Sequence, residues 1–348
     1  MAVALVCPDK FRGTLTAAAA AEALARGLEA VEVDRRRFDD VRRLPLADGG
    51  EGTLDALLAS QGGSLRRATV TGPLGQPVEA EWGLLPDGTA VVESARASGL
   101  ALVDGPNDPL AATSRGTGEL IRAAVRGGAR RIVVAVGGSA MTDGGLGAVD
   151  ALGWSLKGLD VTVACDVTTP FLDAARVFGP QKGATAAQVA LLGRRLERLA
   201  GVYRQRTGVD VAVLEHGGAA GGLAGGLAAL GARLEPGFEV VARAAGFEAA
   251  LDGVDVVVTG EGRFDRTSLE GKVTGESLAW AAAEGVPHRA VVAGQVADDL
   301  KSDPGLEGVL VLSLVDRVWQ AGEAWARAGL LAEEAGVEVG RWALERLG

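Results

Sequence analysis

The sequence predicts an α/β protein with a parallel sheet and a second, mixed lobe inserted into the first. Three observations carry this reading. Short apolar, β-branched runs each end in a polar turn rich in glycine or proline. Stretches of alanine, leucine and charged residues lie between them, and one segment alternates apolar and polar residues around Pro86-Asp87-Gly88. Buried parallel strands read as continuous apolar runs, and strand–helix alternation builds parallel sheets.

Taken in order, Ala2–Val6 reads as the first strand and runs into Cys7-Pro8-Asp9-Lys10-Phe11-Arg12-Gly13. Thr14–Ala30 reads as a helix with Thr14 or Thr16 as its N-cap. Leu44–Leu46 leads into Asp48-Gly49-Gly50-Glu51-Gly52-Thr53. Val78, Ala80, Trp82 and Leu84 alternate with polar or small residues before the Pro-Asp-Gly turn and Ala90–Val92, a hairpin signature. This opens the inserted lobe, placed at 65–249. Within it, Gly118–Arg126 and Ala186–Tyr203 read as helices. The strands Ile132–Val136 and Val161–Ala164 run into Gly137–Gly145 and Cys165–Pro170. The first lobe, residues 1–64, resumes at 250–348 with strands Val254–Thr259 and Val291–Ala293 and helices Leu278–Glu284 and Ala321–Leu347. In open α/β sheets ligands bind beyond the carboxyl ends of the strands, where these polar turns fall.

Composition narrows the function. With 348 residues, 48% of them hydrophobic, the chain can bury a sizeable core. It contains no run of eighteen apolar residues, so no membrane span is expected, and its start lacks the basic region of a signal peptide. Cys7 and Cys165 have no metal-ligand spacing; they read as reduced thiols near strand ends, which fits a cytoplasmic location. A net charge of −10 argues against nucleic acid as a partner, and an anionic substrate would need a local basic pocket.

No G-x-x-x-x-G-K-[ST] loop occurs, and the GxG pairs at 116/118, 145/147 and 260/262 lack the third glycine of a dinucleotide fingerprint. His216 and His288 read as surface or loop residues; a histidine metal site or a Ser–His–Asp triad finds no support. What remains is carboxylates, scarce lysines, arginine, serine and backbone amides, the parts that phosphoryl transfer uses.

Gly137-Gly138-Ser139 follows a strand and offers successive amides that can cradle an anion; a tight strand-to-helix turn is the alternative. Asp143 downstream adds a carboxylate. Asp48 and Glu51, three apart, can face one pocket or serve the N-terminus of the next helix. Gly260-Glu261-Gly262-Arg263-Phe264-Asp265, with Lys272 close behind, mixes acid and base at a strand end, and Lys182 sits in a rigid Gly-Pro turn. Lysine occurs only at Lys10, Lys157, Lys182, Lys272 and Lys301, which makes Lys10, Lys182 and Lys272 informative. Gly217–Gly226 reads equally as a closely packed helix or a ligand-facing helix start, since interior glycines each cost about 1 kcal/mol against alanine.

These segments together resemble the bacterial glycerate kinases of the type I family. The matching stretches are PDKFRGTLTA at 8–17, LADGGEGT at 46–53, GTGELI at 116–121, VGGSAMTDGG at 136–145 and ACDV at 164–167. VFGPQKGAT at 177–185, GGAAGGLAGGLAALGARLEPG at 217–237 and VTGEGRFDRTSLEGK at 258–272 continue them in family order. The resemblance implies ATP-dependent phosphorylation of D-glycerate to 2-phosphoglycerate with Mg²⁺. It also implies a flavodoxin-like lobe built from both chain ends, an inserted mixed lobe, and a cleft between them. On that basis Lys182, Arg12 and the amides of Gly137, Gly138 and Ser139 are expected to hold anionic groups of ATP and glycerate. Glu261 and Lys272 would orient phosphates. Asp48, Glu51 and Asp166 would meet Mg²⁺, and Asp143 or Asp265 would accept the hydroxyl proton. Arg12, Lys10, Thr142 and Thr169 depart from the residues common at their positions, and the connection from Trp154 to Val161 is short. A kinase for another small hydroxy acid and a non-catalytic sugar-acid sensor are the alternatives. A monomer or homodimer is expected.

Overall fold

The computed structural model describes residues 2–300 and 303–347, so Lys301 lies outside the described residues. The chain forms two compact units. One comprises residues 1–48, 55–60 and 241–348, the other 49–54 and 61–240. The α/β class and the two-lobe organisation expected from the sequence are met.

The first unit opens with β1 (Val3–Val6), α1 (Ala17–Glu29) and β2 (Asp40–Arg43). Thr16 caps α1, its side chain accepting from the Ala19 amide at 3.1 Å. α2 (Thr53–Gln61) follows. The second unit then holds β3 (Ser64–Thr71), β4 (Pro77–Leu84), β5 (Thr89–Glu93), α3 (Ala95–Ser98), α4 (Arg115–Arg126), β6 (Arg131–Ala135) and α5 (Leu146–Ala151). It continues with β7 (Asp160–Cys165), α6 (Ala174–Phe178), α7 (Ala186–Thr207), α8 (Ala219–Ala229), β8 (Arg233–Pro236) and the start of α9 (Gly237–Ala245). The return segment of the first unit carries α10 (Phe247–Ala250), β9 (Val256–Phe264), α11 (Val273–Ala283), β10 (His288–Val296), β11 (Val309–Ser313), α12 (Ala321–Ala326) and α13 (Ala328–Arg346).

The first unit's sheet is parallel throughout, in the order β11-β10-β9-β1-β2. Counted within the unit, this is the 2-1-3-4-5 order of flavodoxin-like sheets. Val6 pairs with Val258 on one side and Arg43 on the other, which puts the ends of β1 and β2 level while β9 runs on to Phe264. α1 and α13 pack backbone to backbone: a Cβ on Gly27 would stand 2.7 Å from the Val337 amide nitrogen.

The second unit's sheet has the order β3-β4-β5-β6-β7-β8, antiparallel from β3 to β5 and parallel from β5 to β8. The predicted hairpin is β4–β5, with Trp82 opposite Val92 and its indole in the core. Most of the glycine run at 217–226 lies in the buried helix α8, which begins at Ala219 and has left-handed residues Ala220, Gly221 and Gly222 inside it. Gly225 and Gly222 lie against the Phe171 ring and Gly226 against Gly145, so close packing accounts for the small residues. His216 bonds the Val167 carbonyl through Nδ1 at 2.7 Å, and His288 sits edge-on to Trp342. No helix among the described residues is long and apolar enough to cross a membrane.

Candidate active site

In the first unit, polar side chains gather beyond β1, β2 and β9. The parallel ladder continues past β1: the Cys7 amide donates to the Val258 carbonyl and the Asp9 amide to the Gly260 carbonyl, both at 2.8 Å. Two glycines of β9 make this approach possible. A Cβ at Gly260 would run into the Val292 carbonyl, and one at Gly262 would lie 2.9 Å from the Arg12 amide nitrogen. β9 therefore extends to Phe264, and Glu261 sits on a strand rather than in the turn predicted to start at Gly260.

The consequence falls on Asp9. Asp9 is half-buried, and loss of solvent around its carboxyl pushes it up to about 7, with the charges of Asp48 and Glu261 adding to the rise and Lys10 opposing it. The Lys10 amide donates to Asp9 Oδ1 at 2.6 Å. Glu261 is raised in the same direction, chiefly by burial, with the Thr274 and Ser268 hydroxyls and Lys272 offsetting part. Even so, Glu261 Oε1 and the Thr274 hydroxyl make no hydrogen bond of good geometry. Asp265 differs. It accepts from the Thr267 hydroxyl at 2.7 Å and amide at 3.0 Å, which hold it below the ordinary carboxylate range, and it pairs with Arg263 at 3.4 Å. Lys272 N-caps α11 and donates to the Thr267 hydroxyl at 2.8 Å. Arg12 is exposed beside Gly13, whose Cβ would touch the Trp325 ring.

In the second unit, the loop after β6 is interlocked with residues 49–51. The Val136 amide donates to the Gly49 carbonyl at 3.0 Å. A Cβ at Gly137 would stand 2.8 Å from Gly50 Cα, and Gly138, at φ 64°, lies against the Glu51 carboxylate. Lys182, 4% exposed, donates to the Ser139 hydroxyl at 2.9 Å and the Met141 carbonyl at 2.6 Å. Burial pulls its ammonium down to about 7, with Asp143 opposing the shift. Asn107 clamps the same loop by donating to the carbonyls of Ala140 at 3.0 Å and Lys182 at 2.9 Å.

Asp143 is a fully engaged acceptor. The Ser114 amide and hydroxyl each reach it at 2.8 Å, and the amides of Gly145 and Gly147 at 3.0 and 3.2 Å. Asp166 follows β7 at the surface. Among the described residues no three His, Cys, Asp or Glu side chains form a group able to hold a metal ion by themselves. Glu51 and Asp166 belong to the second unit, and Asp48 to the first.

The structure thus brings Arg12, Asp48, Glu261, Asp265 and Lys272 to one unit's strand ends and Gly137–Ser139, Asp143, Glu51 and Lys182 to one loop cluster of the other. Asp9, Asn107 and Ser114, which the sequence reading did not single out, bond within these same clusters. Asp9 stood inside a quoted motif beside a rare lysine, the one signal that pointed to it.

The model of the glycerate kinase family matches residues 4–158 and 154–344. Glycerate 2-kinase of Escherichia coli (strain K12) is 41% identical over 305 residues, covering 77% of this chain and 79% of that protein. A glycerate kinase of Halalkalibacterium halodurans is 36% identical over 95% of both chains. A crystal structure from Salmonella typhimurium LT2, provisionally described as glycerate kinase 2, superposes with a TM-score of 0.82 at 34% identity and covers 98% of this chain and 97% of its own.

Proposed function

From its membership of the glycerate kinase family, we propose that this chain transfers the γ-phosphoryl group of ATP to the 2-hydroxyl of D-glycerate. The observation that carries the reading is Asp9: a half-buried carboxyl with its pKa raised to about 7, beside Lys10 and the carboxylates Asp48 and Glu261. A base works best when its pKa lies near the working pH. Asp265, already ionised and committed to Thr267, is a weaker base. Asp143, with its donors in place, serves better to hold the 113–114 and 145–147 segments than to take a proton.

In this mechanism the 2-hydroxyl oxygen attacks the γ-phosphorus, its proton passes to Asp9, and the bond to the β,γ-bridging oxygen breaks to release ADP. Lys272 and Arg12 offer positive charge to phosphate oxygens. Lys182 holds the 139–141 loop and keeps a donor for the substrate's anionic groups. Mg²⁺ fits the donor set, because this ion takes only one or two carboxylates beside phosphate oxygens and water. Asp48 would supply a hard oxygen in the first unit, as Glu51 and Asp166 would in the second, and crowding of Asp9 against Asp48 and Glu261 leaves negative charge that a cation would offset. Bound there, the ion would neutralise charge on the phosphoryl oxygens. Buried, reduced Cys7 and Cys165 support a cytoplasmic setting.

The test is direct. The protein is incubated with MgATP and D-glycerate, ADP release is followed, and the product is identified by phosphorus NMR. 2-Phosphoglycerate is expected. 3-Phosphoglycerate would overturn the assigned hydroxyl, and glycerate binding without ADP would leave a sensor.

A further inference from the structure

Inside the second unit lies a half-open cavity of about 370 Å³, walled by Leu110, Leu146, Leu192, Leu196, Leu199 and Val202. Its polar members are Thr142, Asp143, Arg195 and Arg198. We propose that this cavity takes the purine and ribose of the nucleotide donor. The inference rests on the kinase reading and adds where the nucleoside sits.

Position is the first argument. Thr142 and Asp143 follow Met141, whose carbonyl receives the Lys182 ammonium. A nucleoside in the cavity therefore starts its phosphates within a few residues of the 137–141 loop and its buried cation. Lining is the second. Ligand pockets of about 300–1,000 Å³ with mostly apolar walls and few polar groups suit flat aromatic rings. Arg195 is pinned, donating to the Leu110 carbonyl at 2.9 Å and tying α7 to the segment that forms the opposite wall. Arg198 is exposed and makes no ion pair among the described residues, leaving its guanidinium able to stack on a base.

Two further features have no explanation in the fold. Leu146 and Val202, 37% and 38% exposed, present apolar surface at the mouth. Thr142 is 2% exposed, yet its hydroxyl has no partner among the described residues.

The experiment compares wild type with Leu146→Trp and Val202→Trp, which fill the mouth from exposed positions, and with Arg198→Ala. Calorimetry measures the affinity for ADP and for inorganic tripolyphosphate, and steady-state kinetics gives KM for ATP and for D-glycerate. In the Trp variants ADP affinity is expected to fall about tenfold or more while tripolyphosphate affinity stays within about twofold, with KM rising for ATP alone. Arg198→Ala, at a solvent-facing position, should lose about threefold or more in ADP affinity from the missing stack. It decides the matter if the Trp variants do not fold. Wild-type ADP affinity in folded variants overturns the proposal, as does equal loss of ADP and tripolyphosphate. The kinase reading fails separately, in the wild type, if MgATP and D-glycerate yield no ADP.

Discussion

Lys182 donates its ammonium to the Ser139 hydroxyl at 2.9 Å from a position almost wholly removed from water. A charged amine in that place must recover its desolvation from partners, and it does so on the loop that the glycines of 137–138 bring against residues 50–51. Lys182 is therefore both a prop for this loop and a charge available to an anion.

Replacing Lys182 by Met keeps the volume and removes the charge. Activity is expected to fall about 10²–10³-fold. Stability changes sign-sensitively with pH. Burial lowers the folded pKa to about 7 from 10.5, so between those values the unfolded chain binds more protons than the folded one. Stability contributed by this residue then rises with pH across that window. Urea melts from pH 7 to 10 should show wild type gaining on Lys182→Met by up to about 1.4 kcal/mol per pH unit. Parallel pH profiles would refute the buried charge.

Asp9→Asn tests the base. Its rate should drop about 10²–10⁴-fold, and the rise of wild-type kcat/KM through about pH 7 should vanish. The stability sign is opposite to that of Lys182. The folded pKa is raised from 3.8 to about 7, so the folded state holds the extra proton and wild type loses stability as pH climbs through that interval. Asp9→Asn should flatten the loss in thermal melts.

Asp143→Asn places an NH₂ among the donors of Ser114, Gly145 and Gly147. A donor facing donors leaves buried groups unpaired, at a cost of about 1–3 kcal/mol. The variant should lose that much in denaturant melts, and its residual activity should keep the wild-type pH profile. An altered profile at unchanged stability would return Asp143 to the role of base.

Gly222→Ala probes the packing of α8. Gly222 has φ 91°, and a Cβ there would stand 2.7 Å from Gly144 Cα and 2.9 Å from the Phe171 ring. Strain plus overlap should destabilise by about 2 kcal/mol or more. Wild-type stability would contradict the close contact.

Much of this arrangement was legible in the chain. Buried parallel strands must be continuous apolar runs, so β1, β6 and β7 announced themselves, and Thr16, one of the two caps the sequence offers, marks a helix start that the structure keeps. Two kinds of feature were not legible. The strand β9 runs on through Gly260-Glu261-Gly262, because the neighbouring strand and the 9–12 loop come too close for any side chain at 260 and 262. Local propensity reads those glycines as a turn. The 217–226 run was equally ambiguous until Phe171, far away in sequence, was seen to fill the space the missing side chains leave.

The sequence by itself determined the α/β class, the two-lobe organisation and the family, because strand patterning and long motifs are properties of contiguous residues. Only the tertiary structure decided which carboxylates are engaged and which are poised. Asp143 and Asp265 spend their oxygens on hydrogen bonds supplied by loops, while Asp9 is raised by burial and by Asp48 and Glu261. A pKa is set by the dielectric and charges within a few ångströms, and the neighbours of Asp9 include Asp48 and, from the far end of the chain, Glu261.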